Sequence, residues 1–357
     1  SVKMSRKMYI NGMASIAAQT EEDLFAENLQ SFSENIFPAT SVNYKEYIKP
    51  MMLRRMSKAI KMGLVTAKQA LNEAGVDVPD SIIVGTGEGC KQDTEKFLEN
   101  ILDENESFLT PTAFIQSTHN TVGGQIALDL KCTGYNMTYT QNSASFESAL
   151  IDAKLQFTEE MGTRCVLVGG VDEIARISTP FYNLDGQLKA GEINTAKILQ
   201  SSSEGTITSE GAAFFLLSEI RTQNSFAEIS DCMIYRNISE EKLQEEISWF
   251  LKKNDLKIEE LDVVILGNNG DTRYDHYYQQ LQEDLFKNTL QLGYKNWVGD
   301  YNTVTAYACW LGAEILKRKE IPQQLKLNNL SLKQPTSILV YNQYLGKNHS
   351  LTLLRSL

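Results

Sequence analysis

The sequence predicts an α/β fold in which helices cover layered β-sheets. Two observations carry this. Short apolar segments alternate with segments of helical periodicity along the 357 residues, and one strand–glycine turn–helix pattern occurs twice at a fixed offset. Tyr9-Ile10 starts a first short strand. Over 51–74, apolar residues recur at Met52, Met56, Ile60, Leu64, Ala67 and Leu71, a helical spacing that Gly75 can cap. A buried strand is predicted at 81–85, followed by a glycine-rich turn and a helix over 93–102. Helices are expected over 116–130 and 144–161, with strands over 135–140, 164–168 and 212–217. The second half continues with strands at 261–266, 337–341 and 350–354, and helices at 273–286 and 303–319.

The repeated pattern is Ile82-Ile83-Val84-Gly85-Thr86-Gly87 and Val263-Val264-Ile265-Leu266-Gly267-Asn268. Gly85 to Gly267 and Asp93 to Asp275 both span 182 residues, since 267 − 85 = 275 − 93. A duplicated α/β unit with halves meeting near residue 222 explains the offset, and so does chance similarity of two common units. No Ser/Gly/Pro-rich linker separates the halves, so they are expected to pack as one body.

Composition removes several classes. Lys+Arg number 34 and Asp+Glu 45, so 34 − 45 gives a formal charge of −11, with no Lys/Arg block to meet phosphates. No apolar run reaches the roughly 18 residues of a membrane span, and the start of the chain lacks the pattern of a signal peptide. Cys90, Cys132, Cys165, Cys232 and Cys309 are scattered and never form a CxxC pair. They predict reduced thiols, a cytoplasmic setting, and no metal centre. Gly85-Thr86-Gly87-Glu88-Gly89 is spaced G-x-G-x-G with an acidic residue where a pyrophosphate would approach, and reads by default as a tight turn.

The segment Tyr139-Thr140-Gln141-Asn142-Ser143-Ala144-Ser145-Phe146-Glu147 runs from a strand through small residues into a helix. Such an elbow raises Ser143 onto a helix N-terminus, where backbone N–H groups stabilise a developing anion. A serine nucleophile also needs a base, and otherwise Ser143 serves as a helix cap. His119, His276 and His349 read as structural or surface residues.

Several motifs in order resemble β-ketoacyl synthases of the thiolase fold. They are Met52-Leu53-Arg54-Arg55-Met56-Ser57-Lys58, Ile83-Val84-Gly85-Thr86-Gly87, Gly123-Gly124-Gln125-Ile126-Ala127, Val168-Gly169-Gly170-Val171-Asp172-Glu173 and Ser209-Glu210-Gly211-Ala212-Ala213. The resemblance implies a duplicated five-layer αβαβα fold, with halves at 1–222 and 223–357 and no cofactor. It also implies a cysteine at the elbow and two histidines. Those positions hold Ser143, Gly267 (eight residues before Asp275) and Asp300, in Gly299-Asp300. The accompanying lysine is retained as Lys295, and the gate loop is reduced to Tyr344-Leu345-Gly346-Lys347-Asn348, with Tyr344 near the gating position. No intact catalytic set is therefore expected.

What the resemblance implies for function is a chain-length-factor-like subunit. It would heterodimerise with a catalytic ketosynthase paralogue, bound its acyl channel, and work with an acyl carrier protein in a type II polyketide system of the aryl-polyene or flexirubin-like kind, or a fatty-acid-type one. The strand at 135–140 would pair across the dimer, and Phe114 and Gln116 would line the channel. Many such factors carry glutamine at the elbow; here Gln141 lies two residues before Ser143. The alternatives are an acyltransferase using Ser143 with Asp300 as base, or a self-paired acyl-binding protein. Lys49, Arg54, Arg55, Lys58 and Lys61 form a possible carrier-protein patch or an ordinary solvated helix face.

Overall fold

A computed structural model describes residues 7–87, 120–157, 162–174 and 186–357. The main elements are, in chain order, strand β1 (Met8–Ile16), helix α1 (Lys58–Ala74), β2 (Ser81–Gly85), α2 (Thr121–Leu130) and β3 (Tyr135–Tyr139). Then come α3 (Ser145–Gln156), β4 (Cys165–Asp172), β5 (Gly211–Ser218), β6 (Ala227–Arg236) and α4 (Glu240–Lys253). The last are β7 (Val263–Leu266), α5 (His276–Glu283), β8 (Leu290–Gly293), α6 (Val304–Arg318), β9 (Ser337–Tyr344) and β10 (Asn348–Ser356).

The ten strands are ordered β8-β7-β9-β10-β6-β1-β5-β4-β2-β3. Reading outward from the centre, the two halves run 1-5-4-2-3 and 6-10-9-7-8, so adding five to each strand number converts one into the other. Directions repeat as well. The first two pairings of each half are antiparallel and the outer two parallel. This is a duplication, and the chance reading of the sequence echo is overturned. The halves are joined where Met8, Tyr9 and Ile10 pair with Ile229, Glu228 and Ala227.

Five layers follow from where alternate side chains go. On β5, Ala213, Phe215 and Leu217 enter a central core, while Ala212, Phe214 and Leu216 enter an outer core beneath α1 and α2. On β7, Val263 and Ile265 face the centre, and Val264 and Leu266 face α4 and α5. Both faces of these strands are buried, which is why they read as unbroken apolar runs. Helices α3 and α6 form the middle layer between the sheets.

Several boundaries differ from expectation. The helix expected over 51–74 is broken: a single turn, Pro50–Leu53, precedes α1, which starts afresh because the Ser57 side chain accepts from the Ile60 N–H. Gly75 ends it in the left-handed region at φ 68°. β1 is nine residues long, where only its start was read, and β6, α4 and β8 were not read at all. The expected helix over 93–102 lies outside the described residues.

The two outermost strands differ. No residue of β3 is fully buried, whereas all four residues of β8 are. Met137 on β3 and Leu128 and Leu155 on the flanking helices are exposed apolar side chains. The α1 layer meets β1 so closely that a Cβ on Gly12 would lie 2.0 Å from the Ala70 carbonyl oxygen. Because that neighbour is backbone, Gly12→Val is expected to destabilise the fold by about 3 kcal/mol or more, read as a lower midpoint in chemical denaturation.

Candidate functional site

β3 ends at Tyr139, and the chain reaches α3 through a 3-10 turn, Asn142–Ala144. Asn142 adopts φ 50°, a left-handed conformation that asparagine tolerates better than most residues. The residue that closes this turn is Ser145. Its Oγ accepts from the Gln141 N–H at 2.8 Å and donates to the Asn142 carbonyl at 2.6 Å. Ser143 does not cap α3, which corrects the cap reading. It is 6% exposed, its hydroxyl has no hydrogen-bond partner among the described residues, and it lines a cavity of about 200 Å³.

The C-terminal half supplies the opposite wall. Lys295, at the start of the short helix Lys295–Val298, is 1% exposed. Its Nζ donates to Asn342 Oδ1 at 2.7 Å and pairs with Asp300 Oδ1 at 3.2 Å. The other Asp300 oxygen accepts from Asn269 Nδ2 at 2.9 Å. Gly267 follows the end of β7, and the space its side chain would need is taken. A Cβ there would stand 2.2 Å from Asn342 Oδ1 and 2.8 Å from the Tyr278 hydroxyl. Asp275 secures this turn by accepting from the N–H groups of Asn269 at 3.2 Å and Gly270 at 2.8 Å. Burial pushes its carboxyl up to about 6, against the pull of those two bonds and of Lys295.

Ser143, Lys295, Asp300 and Tyr344 therefore surround one cavity, with Gly267 behind Asn342, which also lines it. Phe114, Gln116, His119 and Cys90 lie outside the described residues. Asp300, named above as a possible base, is engaged by Lys295 and Asn269, and no hydrogen bond joins it to Ser143. His276 is exposed and bonds Glu240. His349 is buried on β10 with Nδ1 2.8 Å from the Tyr341 hydroxyl, and burial lowers its pKa to about 4.

Sequence reasoning missed Asn342, Tyr278 and Glu147. Glu147 lies one turn along α3 from Ser143, is 1% exposed, and accepts a hydrogen bond from Thr305 of α6. Burial drives its carboxyl up to about 7, with bonds from Thr305 and Ser350 and the charge of Lys295 opposing. Its signal was an acidic residue on a helix that sits between two sheets. Among the described residues no cluster is arranged to hold a metal ion, and no helix is long and apolar enough to cross a membrane.

A model of the β-ketoacyl synthase N-terminal domain matches residues 21–222. A 3-oxoacyl-[acyl-carrier-protein] synthase 2 of Staphylococcus aureus (strain N315) is 21% identical over 201 residues, covering 52% of this chain and 48% of that protein. The chain thus spans about half the length of the curated relatives it matches. Among solved structures, the ishigamide ketosynthase/chain length factor superposes with a TM-score of 0.80 at 14% identity, covering 99% of this chain and 100% of the other. A ketosynthase (ApeO) in complex with its chain length factor (ApeC) from Xenorhabdus doucetiae gives a TM-score of 0.75 at 15% identity, covering 99% and 98%. At these identities the likeness shows the fold, a thiolase-like ketosynthase fold.

The buried carboxyl of Glu147 makes a signed prediction. Its folded pKa of about 7 lies above the usual carboxylate value, so its contribution is fully present below about pH 4.5 and is lost as pH rises through 7. Glu147→Gln keeps a neutral side chain throughout. Between pH 4.5 and 7 the unaltered chain should therefore lose up to about 3 kcal/mol relative to Glu147→Gln, measured by urea denaturation across that range.

Proposed function

The chain belongs to the β-ketoacyl synthase family, and within it we propose that this chain is a non-catalytic, chain-length-factor-like subunit. It pairs with a catalytic ketosynthase paralogue and bounds that partner's acyl channel. The observation that carries the reading is the filled Gly267 position: Asn342 and Tyr278 occupy the place of a side chain that decarboxylative condensation would use. Condensation calls for a thiolate to hold the acyl group and for donors to stabilise an enolate oxygen. Ser143 offers an alcohol to which no base is hydrogen-bonded among the described residues, and Asp300 puts a carboxylate where negative charge would develop.

The exposed β3 edge supports pairing. Among the described residues its backbone bonds β2 on one side only, and an exposed edge flanked by apolar side chains is a template for strand addition. Two of the solved relatives are ketosynthase/chain length factor assemblies, which supports the same arrangement here. The product class we favour is a type II polyketide of the aryl-polyene or flexirubin-like kind, with an acyl carrier protein as the third component. For the carrier protein, the basic patch is smaller than its sequence suggested. Lys58 is paired with Glu210 and Lys61 lies over the Tyr44 ring, leaving Lys49, Arg54 and Arg55 exposed. The domain division at 222 remains part of this proposal.

Co-expression with a Cys-containing paralogue is the test. A stable heterodimer on size-exclusion chromatography, and no condensing activity from this chain alone, are the expected results. A homodimer that persists beside the paralogue contradicts the reading. Met137→Lys on the β3 edge should weaken the heterodimer by on the order of 2 kcal/mol while leaving the chain folded, as measured by titration and circular dichroism.

A further inference from the structure

We infer that Lys295 is the internal counter-ion of a closed polar plug, a positioning residue rather than a group that meets substrate. The inference rests on the reading of the chain as non-catalytic and deepens it. Lysine is almost never fully buried unless paired, and Lys295 is 1% exposed. Its ammonium joins four separate segments. It donates to Asn342 at the end of β9 and pairs with Asp300, which is held in turn by Asn269 of the turn after β7. Asn342 then lies against both Gly267 and the Tyr278 hydroxyl of α5.

Among the described residues the groups nearest this plug are mostly carboxylates; Lys189, whose Nζ donates to the Gly270 carbonyl, lies on the far side of the turn. Asp172 and Glu173 line the same cavity from the end of β4, Glu147 lies below Ser143 on α3, and Asp275 sits behind the turn. His349 approaches Ser143 from β10 beside a small void, and Tyr301 and Tyr344 line the cavity as further titratable neighbours. Three of these carboxylates already hold backbone N–H groups: Gly87 and Thr303 for Asp172, Ala59 for Glu173, and Asn269 and Gly270 for Asp275. Lys295 is therefore the cation that balances Asp300 in the wall opposite Ser143.

A thiol placed at the elbow reads that field directly. In the Ser143→Cys chain, the pH dependence of alkylation by iodoacetamide gives the thiol pKa. Adding Lys295→Met should raise that pKa by about one unit or more and slow alkylation at pH 7.5 about ten-fold, because Asp300 is then uncompensated. Adding Asp300→Asn instead should move it the other way by about one unit, since the ammonium is left without its partner. The two changes together should return it close to the Ser143→Cys value. A thiol pKa that ignores Lys295→Met, or that Asp300→Asn raises, overturns the inference. If Lys295→Met does not fold, the sign of the Asp300→Asn shift decides alone. The titration needs neither partner nor condensing activity, so its failure is distinguishable from failure of the proposed function.

Discussion

A buried ammonium has to be matched by charge and by hydrogen bonds, and Lys295 meets that demand through Asp300 and Asn342. Much of the candidate site follows from this pairing. Asp300 can be tolerated next to the elbow because the lysine neutralises it, and Asn342 is held over Gly267 because the lysine fixes its amide oxygen. The glycine is then required, since a β-carbon has nowhere to go. On the proposed reading, fold and function meet here: the hydrogen bonds that stabilise the C-terminal wall engage the groups that condensation would otherwise use.

The duplication places this wall opposite the elbow. Each half brings the C-terminal ends of its parallel strands to the junction, so the turn after β3 and the segment after β8 line one cavity from two sides. The halves are also used unequally. β8 is covered on both faces and ends beside the Lys295 helix, whereas no residue of its counterpart β3 is buried and none of the described residues pairs with its outer edge. A stable sheet edge with exposed Met137 is a feature that a partner subunit would cover.

Much of this was legible in the sequence, and the reasons are local. β2, β5 and β7 were readable because both faces are buried, which leaves a continuous apolar run. β6 was not, because buried Asp231 and Glu228 interrupt it. Asp231 is stabilised by Lys154, Lys253 and Asn254, partners that only the tertiary fold assembles. The break before α1 was hidden because helical periodicity continues across it, while the Ser57 cap restarts the helix. At the site, the positions of Ser143, Gly267, Lys295 and Asp300 came from the family resemblance. Asn342 and Tyr278 could not be read that way. Their contact with Gly267 comes from β9 and α5 converging on a turn some ten to seventy-five residues away in sequence.

The account turns on Ser143 being unable to take an acyl group. Intact-mass and peptide mass spectrometry of the chain, alone and in complex with a Cys-containing paralogue, after incubation with acyl carrier protein thioesters, tests this most directly. The account predicts acylation of the paralogue's cysteine and an unmodified Ser143 peptide in both samples. An acyl ester on Ser143 would contradict it.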